Sequence, residues 1–467
     1  MNNVPNHNQI AESPKPKGIH TVSAVLQDGG ILEMLYRPEE AKTGFALWRE
    51  GVWTYHPELK ISESETLIPY SANNNLIKNG VILFPSKPEE YGTEEELLAE
   101  IQTYIRQYVD VSPVFEKIAS YYVLLSWVYD NFNELPYLRL RGGPGCGKTR
   151  FLQTVGALCY KPIFASGASS ISPIFRILDS MQGTLIIDES DFRVSDEKAE
   201  MVKILNNGNA KGFPVLRSEM SPSTKEFNPR AYQVFGPKMA ATRGFFEDVA
   251  LESRFITEEM GQRRLRFDIP INLPDTYKAD ALRLRNKLVL FRFRNLGKQP
   301  LTNDLVDRAI EPRLNQVFIP LLSIIGDEKV REDIKELARE YNQQMVSDRG
   351  LEVEARVLEV IKDLSESSAR LTLQAITESF IRLFGHEYER RISVKWMGFN
   401  IRSRLGLKTE KSHGVFVIPV SEMPKLNLLY EKYGLILPVH SRPTSPDIPV
   451  GSPPSPPSPP VPPKTSP

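Results

Sequence analysis

Cysteine is scarce: Cys146 and Cys159 are the only two in 467 residues, too few for a disulfide framework, which predicts a reducing compartment. Neither is placed as a nucleophile. The six histidines, His7, His20, His56, His386, His413 and His440, show no metal-ligand spacing with each other or with the cysteines, so no structural zinc is expected. An excess of either charge is also missing: Lys plus Arg and Asp plus Glu number 58 each, so any polyanionic partner must be met by a local patch. Long apolar runs are absent as well. The longest, such as YYVLLSWVY, fall far short of a membrane span, and the opening MNNVPNHNQIAESPKPKG lacks the apolar core of a signal peptide. The expectation is a cytoplasmic chain with no membrane partner.

What is present is a globular composition, 41% hydrophobic and 25% charged, with room for several domains. Residues 1–19 and the Pro-rich tail 438–467, ending SPPSPPSPPVPPKTSP, bury too little apolar surface to offset their ordering entropy and read as disordered. The tail is either a plain solvated segment or a polyproline ligand for a partner. Residues 20–90, punctuated by DGG and NNN, have the pattern of a small β module. A helical lead-in occupies 91–135: Thr93 and Glu96 form a capping box, and Ser112-Pro113 opens a second helix. From 136 to 270 the order is strand (137–141), helix (148–159), strand (IFAS), helix (SPIFRILDSM), strand (TLIID), helix (DEKAEMVKILN) and strand (QVFGPKMAAT). Strands alternating with helices imply an α/β fold, a parallel sheet with helices on both faces. Residues 271–350 are mainly helical.

The run GGPGCGKT, 142–149, fits G-x-x-x-x-G-K-T. Gly142, Gly143, Pro144, Gly145, Cys146 and Gly147 would wrap backbone N–H groups around a β-phosphate, with Arg150 just beyond the loop. Lys148 would reach the β and γ oxygens, and the Thr149 hydroxyl would bind Mg²⁺. A strand before the run and an apolar helix face after it (Phe151, Leu152, Val155, Leu158) supply the context the motif needs. GTLIIDES adds a second element: Asp188 at a strand end to hold the metal shell and Glu189 as a water-polarising base. ATP and Mg²⁺ are therefore the expected ligands, and hydrolysis the expected outcome. Further on, Thr242 closes a strand, where its hydroxyl either contacts the γ-phosphate or bonds its own turn. Arg254, in LESRF, is either an arginine finger acting on a neighbouring subunit's nucleotide or one half of a surface ion pair.

Together, GGPGCGKT, LIIDE, a strand-closing Thr and ALESRF resemble the AAA+ superfamily of P-loop ATPases, particularly the helicase-like domain of phage and plasmid primase-helicases and superfamily III. SRF is also similar to the arginine-finger segment of minichromosome maintenance ATPases. The resemblance covers about residues 110–330. It implies an AAA+ core over 136–270, a helical lid over 271–350 with Arg313 as a sensor-2 candidate, and assembly as a homo-oligomeric ring. The chain departs from the pattern in carrying Thr242 where many members have Asn, and no primase active site is visible upstream. The segment between the acidic strand and Thr242 reads as a β-hairpin. In superfamily III such a hairpin tracks DNA, which makes Lys211, Arg217, Lys225 and Arg230 candidates for phosphate contacts, against a merely solvated basic loop. Residues 351–437 resemble a winged helix, with Lys395 and Arg402 on one helix face and Lys408 and Lys411 on the wing, facing either DNA or a protein. The resemblance implies a Mg²⁺-ATP-dependent helicase or translocase acting on single-stranded or forked DNA in the replication of a mobile element. An ATP-switched DNA-binding regulator or loader, and an ATP-binding interaction scaffold, are the alternatives. Polarity, ring size, sequence preference and the role of the β module are not legible.

Overall fold

A computed structural model describes residues 17–436 apart from 190–195, 221–226, 247, 299–302, 351, 368–369 and 389–390. The Pro-rich tail, most of the N-terminal polar segment, and Lys225 lie outside the described residues. The chain divides into two units, Met1–Asn342 and Gln343–Pro467.

The first unit opens with seven strands: β1 (Lys17–Thr21), β2 (Ser23–Val25), β3 (Ile31–Arg37), β4 (Lys42–Arg49), β5 (Val52–His56), β6 (Leu59–Lys60) and β7 (Glu65–Pro69). They form a four-stranded antiparallel sheet, β2-β3-β4-β5, and a three-stranded sheet, β1-β7-β6. After α1 (Asn75–Lys78) come α2 (Glu94–Tyr108) and α3 (Pro113–Trp127). The α2 capping box is complete: Thr93 N donates to Glu96 at 2.9 Å and Glu96 N to Thr93 Oγ1 at 3.2 Å. Ser112 caps α3, which is apolar almost all round and correspondingly buried.

The central sheet is built from β8 (Tyr137–Arg141), β9 (Ile163–Ser166), β10 (Leu185–Asp188), β13 (Lys238–Thr242) and β14 (Phe255–Glu259), with α4 (Lys148–Gly156), α5 (Ile171–Met181), α6 (Asp196–Asn207) and α7 (Val249–Glu252) between them. All its pairings are parallel and the order is β14-β8-β13-β10-β9. The loop-bearing strand β8 thus lies inside the sheet, covered on both sides. β11 (Val215–Met220) and β12 (Phe227–Tyr232) form the antiparallel hairpin inserted before β13. Three local expectations shift. The helix after the loop ends at Gly156 rather than 159, and β13 starts only at Lys238, after Pro237, which has no N–H to give a ladder. β14 was not anticipated, because at the sheet's edge only Phe255 and Ile256 of FITEE are buried and the strand carries no full apolar run.

Helices α8 (Thr276–Asn295), α9 (Pro312–Ser323) and α10 (Glu328–Gly350) follow. α8 is a buried strut. Its Arg292, fully enclosed, donates Nε to Glu33 of β3 at 2.7 Å, NH1 to the Trp127 carbonyl at 2.6 Å and NH2 to Asp130 at 2.5 Å. Tyr160 donates its hydroxyl to the same Glu33 at 2.8 Å, and Trp48 stacks on Phe293. These bonds anchor the N-terminal strands to α8 and the end of α3, since a buried guanidinium is tolerable only while its carboxylates stay.

The second unit runs α11 (Val353–Ser367), β15 (Leu371–Thr372), α12 (Leu373–Phe384), α13 (Val394–Phe399), β16 (Glu410–Ser412), β17 (Val415–Ile418) and α14 (Met423–Lys432). Its three strands pair in the order β15-β17-β16 around a core that includes Leu358, Ile376, Phe380, Met397 and Ile401. The expected third helix is shorter than ISVKWMGFNIRSRLG: Asn400–Arg404 loosens into a single π turn. The β16/β17 loop is tight because His413 and Gly414 both adopt positive φ, 49° and 84°.

Candidate functional site

Parallel strands bring their C-terminal ends to one edge, and there the chain gathers the nucleotide candidates. Residues 142–147 link β8 to α4, whose N-terminus starts at Lys148. Gly145 and Gly147 hold φ of +76° and +97°, which a side chain would strain, and a Cβ on Gly142 would meet the Met260 carbonyl at 2.6 Å. Lys148 Nζ donates to the Gly142 and Gly143 carbonyls at 2.6 and 2.7 Å. Thr149 Oγ1 donates to Asp188 Oδ2 at 2.7 Å, so the hydroxyl and the carboxylate proposed as metal ligands touch across the site. Arg150 points elsewhere, its guanidinium donating to the Pro270 and Ile271 carbonyls. Cys146 Sγ lies 3.0 Å from the Gly143 carbonyl.

Glu189 sits at φ +54°, a left-handed conformation that costs a non-glycine residue about 1–3 kcal/mol. Gly167 makes room for it: its N–H donates to the Asp188 carbonyl at 2.8 Å, and a Cβ there would come within 2.2 Å of the Glu189 carbonyl. The strained turn sets Asp188 and Glu189 against a cavity of about 370 Å³ shared with Lys148, Thr149, Thr242 and Arg243. Thr242 is 2% exposed and its hydroxyl has no hydrogen-bond partner among the described residues. Burying a hydroxyl without a partner costs about 1–3 kcal/mol. Sequence reasoning missed Arg243, which lines the same cavity. Its signal was its place directly after the strand-closing Thr.

A second cavity, about 420 Å³, adjoins the first through Gly145–Gly147 and is lined also by Tyr108, Asp110, Glu258 and Met260. Its wall is braced by Ser112, whose N–H and hydroxyl donate to Glu258 at 2.6 and 2.7 Å. The first cavity carries Lys148, Thr149 and Asp188, and the second adds Asp110, Glu258 and Arg263. Among the described residues no group of three or more His, Cys, Asp or Glu is placed to hold a metal ion. Thr149 and Asp188 alone still fit Mg²⁺, which keeps several waters and takes its remaining ligands from phosphate.

Arg254 stands at the opposite edge. It directly precedes β14, and Tyr137, the first residue of β8, donates its N–H to the Arg254 carbonyl at 3.0 Å. The five residues of β8 separate it from the loop, roughly 16 Å at about 3.3 Å per strand residue. It therefore lies out of reach of its own chain's loop. The side chain is half-buried, with Nε donating to Asn209 Oδ1 at 2.9 Å and NH1 to the Ala250 carbonyl. Burial first, then the like charge of Arg313, lower its pKa below the usual arginine value. Arg313 thus lies within electrostatic range of Arg254. Asn209, 3% exposed, went unnoticed in the sequence because nothing local marks it.

The hairpin candidates are engaged. Arg217 pairs with Glu200 at 2.9 Å, Arg230 with Asp179 at 3.6 Å, and Lys211 Nζ donates to the Asp130 carbonyl at 2.6 Å. In the second unit Arg402 NH1 donates to Thr409 at 3.2 Å, while Lys395, Lys408 and Lys411 are exposed. Among the described residues no helix is long and apolar enough to cross a membrane.

No family model matches the chain, and neither does any curated protein sequence. Among solved structures, it is similar to the apo C-terminal region of NrS-1 (11% identity, TM-score 0.35, covering 83% of this chain and 95% of that one). It is also similar to a full-length MCM homologue from Methanopyrus kandleri (10% identity, TM-score 0.29, 75% and 71%) and to Cdc6p from Pyrobaculum aerophilum (11% identity, TM-score 0.18, 74% and 94%). At such scores the functional reading rests on the chain's own residues.

Proposed function

We propose that the chain is a Mg²⁺-ATP-dependent AAA+ ATPase that acts on DNA as a ring, a helicase or translocase in the replication of a mobile element. The observation that carries the ATPase reading is the contact of Thr149 Oγ1 with Asp188 Oδ2 at a cavity that Lys148, Glu189 and Thr242 also line. In this reading Lys148 exchanges its loop carbonyls for β and γ oxygens, and Thr149 and Asp188 hold Mg²⁺, which when bound neutralises charge on the phosphates. Glu189 accepts a proton from water as the water oxygen bonds the γ-phosphorus. The bond to the β-bridging oxygen breaks, leaving ADP and phosphate, and Thr242 holds the γ-phosphoryl group or the water in line. Arg254 supplies positive charge to the nucleotide of an adjoining copy, consistent with its place at the far edge of its own sheet.

Steady-state ATP turnover with and without single-stranded DNA, followed by unwinding of a forked duplex, tests the proposal. Stimulation with unwinding supports it; neither would leave a nucleotide-binding scaffold. A second reading is favoured by one observation: Arg217, Arg230 and Lys211 are all engaged within the chain, so the described part of the hairpin offers DNA no uncommitted cation. That suits an ATP-switched regulator or loader whose output is assembly, and stimulation without unwinding would select it.

A further inference from the structure

The second unit exposes two phenylalanines, and each stands beside a lysine. In α13, Phe399 is 54% exposed and follows Lys395 by one helical turn, so ring and ammonium share a face. In the hairpin, Phe416 is 49% exposed and lies directly opposite Lys411 in the β16/β17 ladder. Residues paired across an antiparallel ladder project to the same side. Between Arg391 and Lys411 the only acid is Glu410. This stretch is therefore locally cationic in a chain whose total charge is zero.

The helix is poorly equipped to read base edges in a duplex groove. Reading needs forked or amide donors. Arg402 is turned onto Thr409 and over Gly398, Arg404 is bridged to Glu354 at 2.9 Å, and Asn400 is buried with its amide donating to the Trp396 carbonyl at 3.0 Å. On each of the two elements a flat ring stands outward with a cation next to it. That pairing matches a strand whose bases are unstacked, because each nucleotide offers one π face and one phosphate. An acidic peptide would meet the charge but has no need of open aromatic faces.

We infer that the C-terminal unit binds a nucleic-acid strand with unpaired bases, Phe399 and Phe416 stacking on bases while Lys395 and Lys411 neutralise the adjoining phosphates. The inference rests on the proposed action on DNA and specifies which form of DNA this unit takes. It also links the two elements, since Arg402 ties the end of the helix to Thr409 at the root of the hairpin.

The test uses the full chain, a single-stranded oligonucleotide carrying 2-aminopurine, and the matching duplex, titrated at several salt concentrations. The Phe399→Ala/Phe416→Ala double variant should weaken single-strand binding roughly tenfold or more, remove the stacking change in 2-aminopurine fluorescence, and leave duplex binding within about twofold. Phe→Tyr at both positions should restore it, since the π faces return. Lys395→Ala with Lys411→Ala should reduce the salt slope by roughly 1.4, at about 0.7 per phosphate contact on a single strand. Equal losses on strand and duplex, or fluorescence unchanged by loss of both rings, would overturn the inference and leave the wider reading standing. Displacement by polyglutamate that depends on the same rings would assign the surface to an acidic protein and overturn it too. Absence of any DNA binding by the unaltered chain would instead sink the DNA-acting proposal itself, and this inference with it.

Discussion

Replacing Thr242 by valine separates a ligand contact from a structural one, because the two roles move stability in opposite directions. The Thr242 hydroxyl is buried at the end of β13 without a hydrogen-bond partner among the described residues, and Thr242 lines the cavity shared by Lys148 and Asp188. Leaving a polar group in that state costs about 1–3 kcal/mol, and valine keeps the shape while removing the polar atom. The nucleotide-free chain should therefore become more stable by about 1 kcal/mol, a rise in thermal midpoint on the order of a few degrees. Turnover should fall roughly 100-fold if the hydroxyl serves the transition state, as loss of one preorganised donor does elsewhere. Thermal or urea unfolding without nucleotide, paired with steady-state ATP hydrolysis at saturating substrate, measures both. A variant that is less stable and still hydrolyses ATP normally would refute the reasoning, since a hydroxyl bonding its own turn behaves that way.

Other expectations follow from the same geometry. Glu189→Gln should keep ATP bound and unhydrolysed, read as a stable complex with radiolabelled nucleotide, because the proton acceptor is lost while the loop is untouched. Arg254→Ala should spare nucleotide binding and abolish turnover, and mixing it with Lys148→Ala should recover part of the activity; no recovery at any ratio would contradict action between copies. Asn209→Leu should lower kcat with little change in KM, since the amide that holds Arg254 Nε at 2.9 Å is removed far from the nucleotide. Glu33→Gln should destabilise the first unit by about 1–3 kcal/mol in urea unfolding, because buried Arg292 would keep only Asp130 as a charged partner. Burial pushes the Lys238 ammonium down to about 7, although it donates to the Gly208, Val234 and Gly236 carbonyls. With the folded value below the unfolded one near 10.5, the unfolded chain holds the extra proton between those limits, so this group's contribution to stability improves as pH rises from about 7 to 10.5. Lys238→Met should flatten that slope.

Legibility followed chain distance. The strand, glycine loop and helix around 137–156 are contiguous, and each element is specified by its own residue types, so the nucleotide candidates and the alternation that implies a parallel sheet could be read directly. The π turn at Asn400–Arg404 and the edge strand β14 could not, because both depend on what packs against them rather than on a local pattern. The hairpin shows the same limit. Its arginines looked available in sequence, yet their carboxylate partners come from α5 and α6.

By itself the sequence determined the backbone chemistry: glycines able to turn the loop inward, a lysine and a threonine at a helix start, and acidic residues at a strand end. Only the tertiary structure decided that Thr242 is enclosed with a hydroxyl unmet among the described residues and that Arg292 pairs with Glu33, 259 residues away, and with Asp130. It also decided that Arg254 is held by Asn209 at the edge remote from its own loop. The reason is physical: local conformation is governed by neighbours within a few residues, whereas desolvation, charge pairing and reach are set by whichever distant segments folding brings together.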